Sequence, residues 1–212
     1  MFFLDLLFPP RPDEEVLREV ELPTILAKLS PQLVPSTRPP SVTLLPYPDP
    51  LVRAAIHEAK YHGSEHAFSL LAAVLADFLP DYLADVGFTR PHIVIVPVPL
   101  GAARRRERGY NQVEEVARRA LKLLDMPDIR LDTSLLKRTR ETATQVSLER
   151  GAREANVRNS MSVANDAVLN PAHFYIVLDD VLTTGATLAV CLDALVASGL
   201  PRDRLLPLAL AH

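Results

Sequence analysis

The order of apolar patterns along the chain predicts an α/β fold, a mainly parallel sheet flanked by helices on both faces. Three observations lead there. Short apolar runs stand at 93–96, 174–178 and 205–210, the first two with β-branched residues. Amphipathic helical stripes alternate with them, through Leu71, Val74, Leu75, Phe78 and Tyr82, then Val113, Val116, Ala117, Ala120, Leu121 and Leu124, then Leu188, Cys191, Leu192 and Leu195. The runs at 93–96 and 174–178 are apolar on both sides of the period-two alternation, as strands covered on both faces must be. Strand and helix in alternation imply parallel strands joined by crossover helices.

Taken in order, the N-terminal part is set apart by proline. Eleven of the 19 prolines fall in the first 50 residues, which limits helices there to short pieces. A short helix is expected within 13–29, through Val16, Val20, Leu22, Ile25 and Leu26. Residues 1–49 read as a proline-rich appendage laid over a domain at 50–212. From Asp49 the pattern becomes regular, and Leu51, Ala55 and Ala59 share a helical face. The 137–159 stretch is polar, basic and aperiodic, so it reads as a long loop, with a lid and a surface hairpin as competing readings. Gly199 and Pro201 close the helix that contains Cys191. Pro207 inclines the final strand toward a sheet edge, because proline cannot donate to a ladder.

Composition narrows the classes of function. With 212 residues, 48% of them hydrophobic, the chain can bury a substantial core. A net charge of −3 argues against bulk electrostatic capture of nucleic acid, while leaving room for a local basic patch. The single cysteine, Cys191, can form neither an intrachain disulfide nor a cysteine-built zinc site, and reads as a small core residue. No run of apolar residues suggests a membrane span, and the greasy start lacks the basic flank of a signal peptide. The default location is cytoplasmic.

The most informative run is Tyr175-Ile-Val-Leu-Asp-Asp-Val-Leu-Thr-Thr-Gly-Ala-Thr187. A buried strand ends in Asp179 and Asp180, at the carboxyl edge where open α/β sheets bind ligands. Thr183, Thr184, Gly185, Ala186 and Thr187 then turn into a helix, whose first N–H groups attract a phosphate. The carboxylates suit sugar hydroxyls or a cation, the turn suits a phosphate, and a sugar phosphate needs both. The competing reading is a capped helix with two solvated aspartates. A second cluster follows the 93–96 strand. Arg104, Arg105 and Arg108 are forks that fit pyrophosphate, or else form a solvated charge run ahead of an Asn111 cap. Arg138, Arg140 and Gln145 lie in the polar stretch and offer further phosphate donors. Lys60 could reach a phosphate or simply complement a helix end. His62 and His66 have a spacing known from helical metal sites, but Gly63-Ser64 interrupts the helix between them.

The acidic run resembles the phosphoribosyl pyrophosphate (PRPP) motif of type I phosphoribosyltransferases at every motif position. Taken with Lys60-Tyr61-x-Gly63, Pro97-Val-Pro-Leu, Arg108-Gly-Tyr-Asn-Gln112, Arg138-x-Arg140-x-Thr142-x-x-Gln145-x-x-Leu148 and Arg153-x-x-Asn156-Val157, the chain from Asp49 onward resembles the ComF family of competence-associated proteins. The resemblance implies a type I phosphoribosyltransferase-like sheet with a small N-terminal hood. It also implies PRPP or ribose 5-phosphate as ligand, Mg²⁺ held at Asp179 and Asp180 directly or through water, and a role linked to DNA uptake. Single-stranded DNA or a protein of the competence machinery is then a candidate partner. Alternatives are a non-enzymatic accessory of DNA uptake and a PRPP-responsive regulator. Family members commonly carry an N-terminal four-cysteine zinc knuckle. Here every one of those cysteines is absent, so no zinc is expected.

Overall fold

The computed structural model describes residues 11–85, 92–139 and 160–212. Two short helices open it, α1 (Pro12–Leu17) and α2 (Leu22–Leu26), each with a proline in its first turn, where the missing N–H costs nothing. Strands β1 (Gln32–Val34) and β2 (Ser41–Leu45) follow, then α3 (Pro50–His57), a π turn (Glu58–His62) and the long α4 (Glu65–Asp85). The rest alternates: β3 (Ile93–Pro97), α5 (Ala102–Arg108), α6 (Gln112–Leu123), β4 (Ile129–Leu131), β5 (Leu136–Arg138), β6 (Met161–Val163), β7 (Phe174–Val181), α7 (Ala186–Ala197) and β8 (Leu205–Ala211).

Six strands form one sheet in the order β1-β2-β8-β7-β3-β4, parallel except for β1, and β5 pairs with β6 in a separate antiparallel ribbon. The α/β class and its mainly parallel sheet are as expected. Period-two alternation along β7 divides the core. Phe174, Ile176 and Leu178 join the cluster under α4 and α6, whereas Tyr175 and Val177 face Cys191, Leu192 and Leu195 of α7. Cys191 is fully buried, and burial pushes its thiol up to about 12, which suits an inert core residue.

Four expectations need correction. The last strand is interior, not an edge: β8 lies between β2 and β7, and its ladder with β2 begins at Leu208, one residue after Pro207. The proline therefore removes no bond from β2. Residues 11–45 do not merely lie over a domain, since β1 and β2 extend the main sheet and Leu17 and Ile25 enter its core. The stretch read as a loop from 137 begins in strand β5, paired through Leu136↔Val163 and Arg138↔Met161. Finally, α4 has the length and apolar composition of a membrane-crossing helix, because much of its surface is core. Ala67, Leu70, Leu71, Val74, Leu75 and Leu79 are buried in the cluster it shares with α6.

Two carboxylates clasp the N-terminal part to α3 and the π turn that follows it. Asp49 caps α3, accepting from the Leu51 N–H at 2.9 Å, and meets Lys28 Nζ at 2.7 Å. The Lys28 contact holds its carboxyl below the ordinary value despite partial burial. Arg11 does the same for Glu58. Both folded values are depressed, so the stability they supply is complete above the ordinary carboxylate range and lost as pH falls through the folded values. Asp49→Asn should therefore show a shallower loss of Tm on acidification than the wild type. Asp49→Ala should cost about 1 kcal/mol in urea unfolding at neutral pH. Equal acid slopes in wild type and Asp49→Asn would count against the clasp.

Candidate functional site

At the carboxyl ends of β3 and β7 lies a cleft of about 360 Å³, within the range of small-ligand pockets. Lys60, Arg104, Arg108, Arg138, Asp179, Asp180, Thr183 and Thr187 line it, joined by Asn111, Gln112 and Tyr47. Residues from five separate stretches of sequence are thus brought together. Arg140 and Gln145 lie outside the described residues.

Asp180 is 7% exposed and carries a dense set of partners. Its Oδ2 takes Lys60 Nζ at 2.9 Å and the Gln112 amide at 2.7 Å, and its Oδ1 accepts the Val181 N–H at 2.7 Å. Burial opposes its charge, but Lys60, then Gln112 and the Val181 N–H outweigh that cost and hold the carboxyl below its ordinary value. Asp179 sits on the opposite face of β7 and accepts the Asp180 N–H at 2.9 Å. Burial, and then the neighbouring Asp180 charge, push it up to about 7. The two adjacent aspartates therefore differ: Asp180 is held ionised, while Asp179 exchanges its proton around neutral pH.

Local sequence explains how the partners arrive. After β3, Pro97, Val98 and Pro99 carry the chain into surface helix α5, and Gly109 ends that helix at φ 77°. Arg104 and Arg108, four residues apart, share the helix face toward the cleft. Arg105 is turned round the helix and pairs with Glu114 at 3.5 Å instead, so it is not a cleft residue. Tyr110 braces the π turn, donating its hydroxyl to the Ala59 carbonyl at 3.0 Å. Asn111 caps α6 through the Val113 N–H and donates to the Val98 carbonyl, both at 3.0 Å. Gln112 then opens α6 already pointing at Asp180, and its own carbonyl oxygen takes Arg108 Nη1 at 3.2 Å. The Asn111 cap expected of this run is present, and Arg104 and Arg108 line the cleft.

Lys60 stands on the π turn and reaches Asp180 rather than an anion site. Gly63 ends the turn in the left-handed region at φ 62°, where a β-carbon would also lie 3.3 Å from the Tyr110 ring, and Ser64 caps α4 through the Ala67 N–H. Gly185, at φ 77°, precedes α7, but its close approach is to Thr37: a β-carbon there would lie 2.9 Å from Thr37 Cβ. Thr37 is itself fixed by hydroxyl bonds to the Val34 and Pro39 carbonyls. Thr184 turns its hydroxyl to the Ala186 N–H at 3.4 Å. Of the threonine-rich turn, then, Thr183 and Thr187 line the cleft, while Thr184, Gly185 and Ala186 shape its backbone.

Arg138 reaches the cleft from β5, and its buried Nε has no hydrogen-bond partner among the described residues. An anion in the cleft would give such a donor an acceptor. Hard carboxylate oxygens suit a hydrated Mg²⁺, and a cation would relieve the repulsion that raises Asp179. Another group with metal-ligand chemistry, His57, Glu58 and His62, has its donor atoms within 4.8 Å of one another. Its charges are already committed, since Arg11 occupies both Glu58 oxygens and His57 Nδ1 meets Asp13 at 2.8 Å. His66 is tied to the Leu17 carbonyl. Metal analysis of the purified protein should accordingly find no stoichiometric zinc; one tightly held zinc per chain would overturn this reading.

Gln112 was part of a quoted motif but not of the expected site. Its signal was positional, the first residue of an amphipathic helix directly after a capping asparagine. Because it bonds a buried charge, Gln112→Ala should cost about 1–3 kcal/mol in denaturant unfolding. A loss near zero would make the bond incidental.

No protein-family model matches the chain. Among curated proteins, Competence protein F of Haemophilus influenzae is 36% identical over 94 residues, covering 44% of this chain and 40% of that protein. DNA utilization protein YhgH of Escherichia coli O6:H1 is 31% identical over 158 residues, covering 74% of this chain and 66% of that protein. Its counterpart in Shigella flexneri is 30% identical over the same length. The matched region thus spans from two fifths to about two thirds of these relatives.

Proposed function

This chain belongs to the ComF family, and from that premise we propose that it is a Mg²⁺-dependent, PRPP-binding protein of phosphoribosyltransferase type that serves competence and DNA utilization. One observation carries the ligand reading: a single cleft joins a carboxylate pair to arginine forks and threonine hydroxyls. That combination matches a phosphorylated sugar bearing a second anionic group.

In this reading Asp179 and Asp180 would face the ribose hydroxyls, and both would hold Mg²⁺, directly or through water. When bound, Mg²⁺ would offset the charge of the pyrophosphate. Asp180, kept ionised by Lys60 and Gln112, favours positive charge developing on the sugar as pyrophosphate departs. Thr183 and Thr187 hold the 5′-phosphate. Arg104, Arg108 and Arg138 receive the pyrophosphate, and the unpartnered Nε of Arg138 supports that role.

The names of the relatives speak of competence and of DNA utilization, which favours a second form of the proposal. In it, the cleft senses PRPP and the protein assists DNA uptake without turnover. Pyrophosphate release measured across a panel of bases and nucleic acids separates the two.

PRPP with Mg²⁺ should raise Tm. Ligand at about a hundredfold over Kd adds on the order of 2.7 kcal/mol. Asp180→Asn should keep most of the intrinsic stability and lose most of the ligand-dependent shift. An unchanged Tm at millimolar PRPP and Mg²⁺ would falsify the ligand reading.

A further inference from the structure

Lys60 reaches Asp180 from a turn that is held on its other side from outside the cleft. Glu58, two residues earlier, is 1% exposed, and Arg11 meets both of its oxygens, Nε at 3.0 Å and Nη2 at 2.7 Å. Two residues apart on a helical turn, Glu58 and Lys60 face roughly opposite sides. One side is thus anchored to the segment that enters α1, and the other delivers an ammonium to the cleft. His57 adds a tie to Asp13 of α1, and the Tyr110 hydroxyl holds the Ala59 carbonyl between them.

The turn needs such anchorage. A π turn carries one residue more than an α-turn would, with poorer packing, and it survives mainly where surrounding contacts impose it. Relaxation to α register would rotate the following side chains by about 100°, the step per residue of an α-helix, and take Lys60 off Asp180. Loss of Arg11 would also leave the buried Glu58 carboxylate to the His62 imidazole on the same turn at 3.9 Å, a further pull on the turn.

We propose that Arg11 is a positioning residue which, through Glu58, holds the π turn in the register that seats Lys60 on Asp180. The N-terminal segment thereby sets the state of the cleft without lining it. The consequence for ligand rests on the PRPP reading above; the coupling itself does not.

Two measurements test it. Acetylation of each lysine, followed by peptide mass spectrometry without ligand, reports directly on Lys60. Arg11→Ala should speed Lys60 modification by about tenfold, the scale of one charge-assisted hydrogen bond, and Arg11→Lys should restore part of the protection. Lys28, tied to Asp49 in the same N-terminal region, should keep its rate. An unchanged Lys60 rate, or a rise shared by Lys28, would mean a merely structural role and overturn the proposal. The second measurement is a double-mutant cycle on the Kd of PRPP with Mg²⁺. Arg11→Ala should weaken binding in the wild-type background and have little effect in Lys60→Ala, whereas additive losses would also overturn it. If wild type binds no PRPP while Arg11→Ala still exposes Lys60, the ligand reading fails and the coupling stands.

Discussion

An ionised carboxylate buried at the end of a central strand constrains everything around the cleft. Asp180 loses most of its water on folding, and a bare charge there would either take up a proton or unfold the strand end. The fold answers with an ammonium, a side-chain amide and a backbone N–H, drawn from three separate elements. Each of those partners must in turn be held. Gln112 depends on the Asn111 cap, and Lys60 depends on a π turn braced by Tyr110 and Arg11. Several motif residues thus have a single physical reason, which is to make one buried charge tolerable.

The same arrangement separates two neighbouring aspartates chemically. Strand alternation puts them on opposite faces of β7, so only Asp180 meets the cations and donors under α4 and α6. Asp179 is left with burial and a like charge beside it, and its affinity for a proton rises. In the function proposed above, one permanent carboxylate and one that yields its proton to an incoming cation would admit metal and sugar together, and the arginines lining the same cleft would balance the charge of an anionic sugar.

The N-terminal part takes a different place from the one its composition suggested. Proline density and weak periodicity mark it as peripheral, yet β2 is an interior strand and Thr37 lies against Gly185 at the start of α7. Proline limits the length of helices without excluding a strand of five residues such as β2. The ion pairs Arg11–Glu58 and Lys28–Asp49 then join this region to the helix that bears Lys60. A segment lacking cysteine ligands is therefore fastened by charge and by sheet pairing.

Much of the fold was legible because periodicity is local. The runs at 93–96 and 174–178 and the stripe of α6 report burial directly, since each side chain's face follows from its spacing along the element. The acidic run and the arginines were legible for a similar reason: carboxylates after a strand and forks after another carry their chemistry in residue type. What sequence could not decide was pairing. Pro207 is tolerated in an interior strand because the ladder from β2 starts one residue later, and no local pattern encodes a neighbour 166 positions upstream, as Val42 is to Leu208. Arg105 and Arg108 look alike in sequence, and only helix rotation sends one to Glu114 and the other to Gln112. Lys60 seemed fit for an anion, but Asp180, 120 residues away in sequence, was the stronger demand once folding buried that carboxylate beside it. Residue type determined which chemistries were available, and tertiary structure decided which charges had to satisfy one another, because the cost of burying a charge is set only when the chain has closed around it.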